Sequence, residues 1–275
     1  YVGALGRHLQ GIEELNAAAP GTGVAGLPFG SVGRTGSTQY YNDGLTSNYN
    51  ALQVSLTKRF SHGLSFLGSY TYGKALGYTT ASGMVLDPTN LRANYGPQDY
   101  DRQNVLSISH LWELPFGRHG SGLMSSILGG WQLNGIFSWA TGTPLTLTAD
   151  PLLCACPGNT VLASANGPIG TTGQYNGQPF INGSFSVPAG STVGNLTRGA
   201  LRGPGFKNYD MSLFKNFRIH DRFNLQMRGE AYNLTNSPRL ANPVTNINAP
   251  DFGQVTSTVN GMFGRQVDLA ARVQF

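Results

Sequence analysis

Charge is what this sequence has least of. Charged residues make up 11% of its 275 residues, whereas typical soluble domains carry about 25%. A soluble fold of this size needs more charge to solvate its surface. Together with 14 Phe, 12 Tyr and 3 Trp, the low charge favours a protein whose outer surface meets lipid.

Long hydrophobic runs are also missing. No stretch of 18 or more apolar residues occurs, so the sequence predicts no transmembrane helix. The mean hydropathy of −0.18 still permits a membrane protein, because a membrane-spanning strand turns only every second residue to lipid.

The first residues lack the features of a secretory signal. The sequence opens on Tyr1, and neither a charged segment nor an apolar segment follows as a signal peptide requires. We therefore expect a fragment or a processed piece of a longer protein.

The basic residues do not form a cluster. The net charge is +5 and the pI is about 9.3, yet Lys58 and Arg59 are the only adjacent basic pair. Nucleic-acid binding depends on clustered cations that release counterions. The sequence therefore predicts no nucleic-acid partner.

Cofactor and metal motifs are equally weak. Cys154 and Cys156 are the only cysteines, and a metal site would need further ligands at a suitable spacing. Residues 21–26 (GTGVAG) match a dinucleotide-binding glycine pattern, but the nearby Pro20 and Pro28 exclude the helix that such a site requires. We expect no cofactor and no metal, and the sequence leaves open whether the two cysteines pair.

Alternation is the strongest signal in the sequence. In the last segment one parity is apolar and the other is mostly polar, which is the period of a strand with a single apolar face. Residues 222–231 show the same pattern. The apolar parity of the last segment consists of Val267, Leu269, Ala271, Val273 and Phe275.

Eight extended segments follow from this reading. They cover about 1–9, 38–60, 64–74, 103–115, 131–148, 206–219, 222–231 and 263–275. Their connections alternate between long and short, with the longest at 149–205. In a transmembrane barrel, short turns lie on the periplasmic side and long loops on the extracellular side, so the pattern predicts an antiparallel transmembrane β-barrel segment.

Several phrases in the sequence resemble the C-terminal barrel region of Oar-like TonB-dependent transporters, outer-membrane proteins of Gram-negative-type bacteria. They are 47–53 (SNYNALQ), 58–66 (KRFSHGLSF), 113–117 (ELPFG), 230–236 (EAYNLTN) and the alternating last strand that ends on an aromatic residue. The resemblance implies that residues 1–275 are the C-terminal portion of an outer-membrane barrel, with the plug domain and signal peptide absent. It implies a barrel of about 22 strands with a plugged lumen.

The resemblance also implies partners and a function. The apolar parity of the last strand, including Phe275, serves the family as the signal for the barrel-assembly machinery. Outer-membrane lipid surrounds the barrel, and a TonB-type protein energises uptake or translocation through the N-terminal region that is missing here. The alternative is a complete, small eight-stranded barrel with a structural or adhesive role, since eight strands can also close. A third possibility is a soluble β-sandwich that binds through its long loops.

Charged residues on the polar parity are expected to face the lumen. They either line a permeation path or hold a plug by charge-assisted hydrogen bonds, or they only pair with one another across neighbouring strands. The candidates are Arg222, Arg228, Glu230, Asp268 and Arg272.

No catalytic arrangement is visible, and we expect no enzymatic activity. His62, His119 and His220 each lie in or beside a predicted turn, without a nucleophile placed by a motif to use them as a base. Asp99 and Asp101 lack the twelve-residue calcium pattern, so we expect a solvated loop.

Two polar residues interrupt the apolar parity. His110 shares the parity of its strand's apolar residues, which predicts either a neutral histidine or a bulge that changes the register. Lys215 interrupts the sixth strand in the same way, and we expect its amine to reach towards the membrane boundary.

Overall fold

The computed structural model describes residues 1–80, 82–88, 90–117, 127–189, 194–220, 223–259 and 264–274, without the side chains of 218–220, 223 and 274. Eight long strands dominate the fold, as the sequence predicts, and the all-β fold class is confirmed. The strands are β1 (Val2–Glu14), β2 (Gln39–Ser61), β3 (Leu64–Gly77), β4 (Asn104–Glu113), β5 (Trp131–Ala140), β6 (Phe206–His220), β7 (Phe223–Tyr232) and β8 (Gln266–Gln274).

The eight strands form one antiparallel sheet in the order of the sequence. Since each strand runs opposite to the one before it, the connections alternate between the two ends of the sheet. The long connections 15–38, 78–103, 141–205 and 233–265 leave from one end, the long-loop end. The shorter connections leave from the other, the short-turn end. β1 and β8 are the edges of the sheet, and no ladder joins them among the described residues.

The register of the ladders places the apolar parities of β2 to β8 on one face, the apolar face. One row across the sheet joins Leu133, Leu213, Gly229 and Leu269 of the last four strands. A slip of one residue would turn a strand's apolar side chains to the opposite, polar face. The register therefore agrees with the parity assigned from the sequence.

Both faces of the sheet are open. Leu269 of β8 is 85% exposed and Leu56 of β2 is 61% exposed, although both belong to the apolar face. Among the described residues, Leu45 is the only apolar side chain larger than alanine that a long strand buries. The sheet thus has almost no core of its own.

Several strand ends differ from the sequence prediction. β3 continues to Gly77 instead of ending near residue 74, and β8 begins at Gln266 instead of near residue 263. β1 continues to Glu14 instead of ending at Leu9. The sequence prediction ended this strand too early, because register shifts around Leu9 interrupt the alternation that marks a strand. β5 ends at Ala140 and is not prolonged to Thr148. The chain after β5 pairs with Leu201–Arg202 instead, and so leaves the sheet.

The four long connections are folded together into a structure that we call the loop cap. Its described residues include three short 3-10 helices, Gly23–Gly26, Gly30–Val32 and Leu91–Asn94. No helix in the described ranges has the length and apolar character needed to cross a membrane. The two-residue strands are Gly96–Pro97, which pairs with β3, and Pro144–Leu145, Thr148–Ala149, Val161–Leu162, Ser164–Ala165, Gly170–Thr171, Ile181–Asn182, Phe185–Ser186 and Leu201–Arg202.

The loop cap has a hydrophobic core that the sequence did not indicate. Leu147 and Ala163 are fully buried, and residues of the connection 233–265 pack against the same cluster. The cluster contains Leu145, Leu147, Ala163, Phe180 and Ile181, with Ile247, Phe252 and Val255 beside it. Residues 149–205 are therefore not simply an irregular loop.

A buried ion pair joins two connections of the loop cap. Arg202 Nη2 lies 2.5 Å from Asp101 Oδ2, and the Asp101 side chain is 1% exposed. Asp101 Oδ1 also accepts a hydrogen bond from the backbone N–H of Ala75 at 2.7 Å. The expectation that Asp101 lies in a solvated loop is wrong, because an arginine of a distant connection covers it.

Arg198 forms a second ion pair between the same two connections. Its side chain is 1% exposed, and its Nη2 lies 3.4 Å from Asp99 Oδ1. Burial lowers the pKa of the Arg198 guanidinium, while the nearby Asp99 carboxylate raises it. Asp99 keeps a side-chain exposure of 34%, so the expectation of a solvated residue holds better for Asp99 than for Asp101.

A disulfide between Cys154 and Cys156 fixes a tight turn inside the loop cap. Both cysteines are buried. The backbone carbonyl oxygens of Cys154 and Ala155 accept hydrogen bonds from the N–H groups of Gly21 and Gly23 at 3.1 Å and 2.7 Å. The disulfide turn therefore holds the first long connection against the third.

His110 stays on the apolar face, and its ladders with β3 and β5 show no register shift. Its Nε2 atom lies 2.8 Å from the hydroxyl oxygen of Tyr209. A Cβ atom at Gly135 would come within 2.6 Å of His110 Nε2, so the glycine makes room for this pair. Of the two alternatives for His110, the bulge is excluded.

Lys215 does not reach open water at the sheet boundary. It is 1% exposed, and its Nζ atom donates hydrogen bonds to the carbonyl oxygens of Ile127 and Gly129 at 2.7 Å and 2.5 Å. The amine also lies 5.0 Å from the ring centroid of Trp131 and 4.8 Å from that of Phe217. The short connection before β5 therefore satisfies the lysine charge.

Candidate functional site: the polar face and its mouth

Four of the predicted lumen residues lie together on the polar face of β7 and β8. Glu230 stands opposite Asp268, and Arg228 stands opposite Ala270. Arg272 lies opposite Gln226, nearer to the short-turn end. Arg222, the fifth candidate, lies outside the described residues.

The contacts between these residues differ from simple cross-strand pairing. Arg228 Nε lies 3.4 Å from Glu230 Oε1, and both residues belong to β7. The arginine side chain is 42% exposed, so this pair contributes little to stability. Across the ladder, the carboxylates of Glu230 and Asp268 are directly opposite each other, an arrangement that is destabilising in sheets.

The charges along this wall are separated by sign. The two carboxylates lie towards the long-loop end, and Arg228 and Arg272 lie towards the short-turn end. The hydroxyl of Tyr232 donates a hydrogen bond to Glu230 Oε2 at 3.3 Å. A wall of this kind is polar and accessible, and it can contact water or a polar segment placed inside the sheet.

A cavity of about 450 Å³ lies where the polar face meets the loop cap. Strands β5 to β8 form its floor through alternate polar-face residues, and the connection 233–265 forms its rim. We call it the mouth cavity. Its lining includes Ser138, Phe206, Lys207, Asn208, Asp210, Tyr232, Ser237, Arg239 and Gln266.

Two arginines from different connections meet at Phe206, which lines this cavity. The Cζ atom of Arg239 lies 4.4 Å from the ring centroid of Phe206, and that of Arg102 lies 5.3 Å from it. Burial lowers the pKa of Arg102, and the charge of Arg239 lowers it further. Arg102 Nη1 donates a hydrogen bond to the Thr141 carbonyl oxygen at 2.6 Å, which fixes its position.

Asp210 is the acidic residue of the cavity lining, and its carboxylate already has hydrogen-bond donors. Oδ1 accepts from the backbone N–H of Asn233 at 2.8 Å, and Oδ2 accepts from Asn208 Nδ2 at 2.9 Å. Among the described residues, no ion pair joins Asp210 to either arginine.

Sequence reasoning missed the mouth cavity. Arg102 and Arg239 lie in loops, where no periodicity assigns a side chain to a face. Phe206 is the first residue of β6, and the sequence around it does not indicate that two arginines lie beside its ring. The only usable signal is that both arginines belong to long connections at the same end of the sheet.

The predicted assembly residues are exposed along β8. Val267, Leu269, Ala271 and Val273 share the apolar face, opposite Ala231, Gly229, Met227 and Leu225 of β7. Phe275 lies outside the described residues. Their role in assembly therefore stays a prediction, although their exposure at an edge of the sheet would let another chain reach them.

The histidines at turns give no further site. His62 has a φ of 53° in the tight turn between β2 and β3, as expected of a turn residue. His119 and the side chain of His220 lie outside the described residues. Within the described ranges, no group of three or more His, Cys, Asp or Glu residues could hold a metal ion.

Comparison with known families covers nearly the whole chain. Residues 1–268 match the model of a family described as an outer membrane beta barrel domain. No curated protein matches the chain significantly. The match includes seven of the long strands and the first residues of β8, 266–268. The chain therefore belongs to the outer membrane beta barrel domain family, and its location is the outer membrane.

Proposed function

We propose that the chain is the C-terminal barrel portion of a TonB-dependent, Oar-like transporter or receptor, which takes part in energised uptake or translocation. The observation that carries this proposal is the open sheet. Its edge strands β1 and β8 have no ladder between them among the described residues. A membrane barrel must close, because lipid offers no partner for edge hydrogen bonds. Further strands would close it, as in transporters of about 22 strands.

The polar face supports a lumen occupied by water or a plug. Its central residues are polar or charged, including the Arg228 and Glu230 pair and Asp268. An interior of this type is typical of barrels that hold a channel or a plug domain. The predicted partner is then a TonB-type protein, which acts through a plug that precedes the barrel.

The remaining partners follow from the two faces and the edge. The apolar face contacts outer-membrane lipid, the long loops face the outside of the cell, and β8 meets the barrel-assembly machinery. The proposal includes no nucleic acid, no cofactor and no enzymatic reaction.

Cysteine cross-linking in the outer membrane tests the barrel size. The experiment uses the parent protein, which is the longer protein of which this chain is proposed to be a portion. Three double-cysteine variants each carry Leu5→Cys in β1 together with Val267→Cys, Leu269→Cys or Ala271→Cys in β8. We expect no disulfide in any combination, since further strands separate the two edges. The matched control is Leu225→Cys with Val273→Cys, two residues that face each other across β7 and β8 and must cross-link. A β1–β8 disulfide would instead support the small eight-stranded barrel with a structural or adhesive role.

A second experiment tests energised transport separately. Formaldehyde cross-linking of cells that express the parent protein should give a complex with a TonB-type protein. If no such complex forms while the barrel-size result stands, the chain belongs to a large barrel that does not use TonB.

Phe275 is the residue to remove in a test of assembly. Its deletion from the parent protein should lower the fraction with heat-modifiable mobility, because the terminal strand is expected to be the assembly signal. Deletion of a loop residue such as Gly167 is the control. Equal heat-modifiable fractions in both variants would show that Phe275 has no such role.

A further inference from the structure

We propose that the mouth cavity binds an oxyanion, a phosphate or a carboxylate, carried by a solute that enters the polar side of the sheet. The ligands are the guanidinium group of Arg239, which lines the cavity, and that of Arg102, which lies beside the lining residue Phe206. The proposal requires only the folded chain in the outer membrane, so it does not depend on TonB or on the size of the barrel.

The first argument is that two positively charged guanidinium groups lie close together. Both guanidinium carbons lie within 5.3 Å of one ring centroid, so the two cations are at most about 10 Å apart. Like charges at this separation repel each other, and a bound anion would lower that repulsion. Neither arginine has a carboxylate within ion-pair distance among the described residues.

The second argument is the position of the hydrogen-bond donors. Arg102 uses Nη1 for the Thr141 carbonyl oxygen, and this contact holds the group at the cavity edge. Arg239 makes no side-chain hydrogen bond in the described structure and contacts the Phe206 ring. Stacking on a ring leaves the in-plane N–H donors of a guanidinium free. These donors match the geometry of a carboxylate or phosphate.

The third argument is the space beside the arginines. The cavity holds about 450 Å³, which is the size range of small-molecule sites. Ser237 adds a hydroxyl donor to the lining. The Asp210 carboxylate is already bound by Asn208 and Asn233, so it competes less for the arginines than a free carboxylate.

Titration of the parent protein, purified from outer membranes in detergent, tests the site. Inorganic phosphate and succinate are the two probes, and isothermal titration calorimetry measures their binding. We expect saturable binding of one or both that weakens with salt. Arg239→Gln should weaken it at least about tenfold, since it removes hydrogen bonds to a charged group. Arg92→Gln is the matched control, because Arg92 is exposed in the same connection as Arg102 but neither lines the cavity nor contacts the Phe206 ring.

The outcomes separate the two sources of the oxyanion. Binding of phosphate alone assigns a phosphate ligand, and binding of succinate alone assigns a carboxylate. Heat-modifiable mobility shows whether Arg239→Gln is folded. Arg102→Lys is the second variant, which keeps the charge but loses the planar donors and should also weaken binding. If neither probe binds, or if the folded Arg239→Gln variant binds as well as the unchanged protein, the proposal is wrong.

Discussion

The sheet and the loop cap differ in what covers their apolar side chains. The sheet is a single layer with both faces open, and Leu269 on its apolar face is 85% exposed. The loop cap has a closed core around Leu147, a buried arginine, Arg198, and a disulfide. In the cap, the protein itself covers the apolar side chains of this core. In the sheet, lipid must cover them, so only the sheet depends on the membrane as its solvent.

The difference also predicts how each region responds to a substitution. A change in the cap acts through packing and buried charge, as in a soluble domain. A change in the sheet acts according to the face on which it lies. Separate probes for the two regions exist in this chain, because Trp112, Trp131 and Trp139 all lie on strands of the sheet. Tryptophan fluorescence therefore reports on the sheet, and limited proteolysis of 149–189 reports on the cap.

The largest effect is expected from Arg202→Gln in the cap. It leaves the buried Asp101 carboxylate without its cationic partner, and breaking a buried pair costs about 3–5 kcal/mol. We expect proteolysis of the cap to begin at lower urea while tryptophan fluorescence is unchanged. Arg92→Gln, an exposed arginine of the cap, is the control. Unchanged proteolysis in Arg202→Gln would show that the cap does not depend on this pair.

A somewhat smaller effect is expected from a charge on the apolar face. Leu213 lies at the middle of β6, and arginine on the lipid face at the bilayer midplane costs about 2–4 kcal/mol. Leu213→Arg should therefore lower the urea midpoint measured by tryptophan fluorescence in vesicles. Its neighbour Ser212 belongs to the polar face, so Ser212→Arg should change the midpoint much less. Equal losses in the two variants would contradict the assignment of the faces.

Reduction of the disulfide should weaken only the cap. The Cys154–Cys156 bond closes a very short loop and is expected to contribute about 2 kcal/mol. With a reductant, proteolysis of the cap should begin at lower urea. The variant Cys154→Ser/Cys156→Ser should show the weaker cap with or without the reductant. If the reductant acts equally on this variant, the effect does not come from the disulfide.

The smallest effect is expected from Tyr209→Phe in the sheet. The change removes the hydroxyl that pairs with His110 Nε2 at 2.8 Å, at a cost of about 1 kcal/mol. The tryptophan-fluorescence midpoint should fall slightly, and proteolysis of the cap should not change. Tyr70→Phe, which removes a hydroxyl that bonds Asn104 near the end of the sheet, is a comparison at the edge of the membrane. If the urea midpoint of Tyr209→Phe is equal to or higher than that of the unchanged protein, the His110 pair does not stabilise the sheet.

The sheet could be predicted from the sequence because its signal is local. Each strand repeats every two residues, and the ladders from β2 to β8 keep the apolar parities on one face. The prediction failed where this period is interrupted, as at the register shifts around Leu9 in β1.

The cap could not be predicted, because its contacts join distant parts of the chain. Asp101 pairs with Arg202, and the carbonyl oxygen of Cys154 accepts a hydrogen bond from Gly21. Loop residues have no period that assigns their direction. The same reason explains why Arg102 and Arg239 of the mouth cavity were missed, whereas Arg228 and Glu230, which lie on a strand, were found.

Spin labels on neighbouring residues of β7 and β8 test the central claim most directly. Labels at Leu225 and Val273 belong to the apolar face, and labels at Gln226 and Arg272 belong to the polar face. In the outer membrane, we predict that lipid-soluble oxygen relaxes the first pair more strongly, and that a water-soluble nickel complex relaxes the second pair more strongly. If the labels at Leu225 and Val273 are in contact with water, the apolar face does not meet lipid.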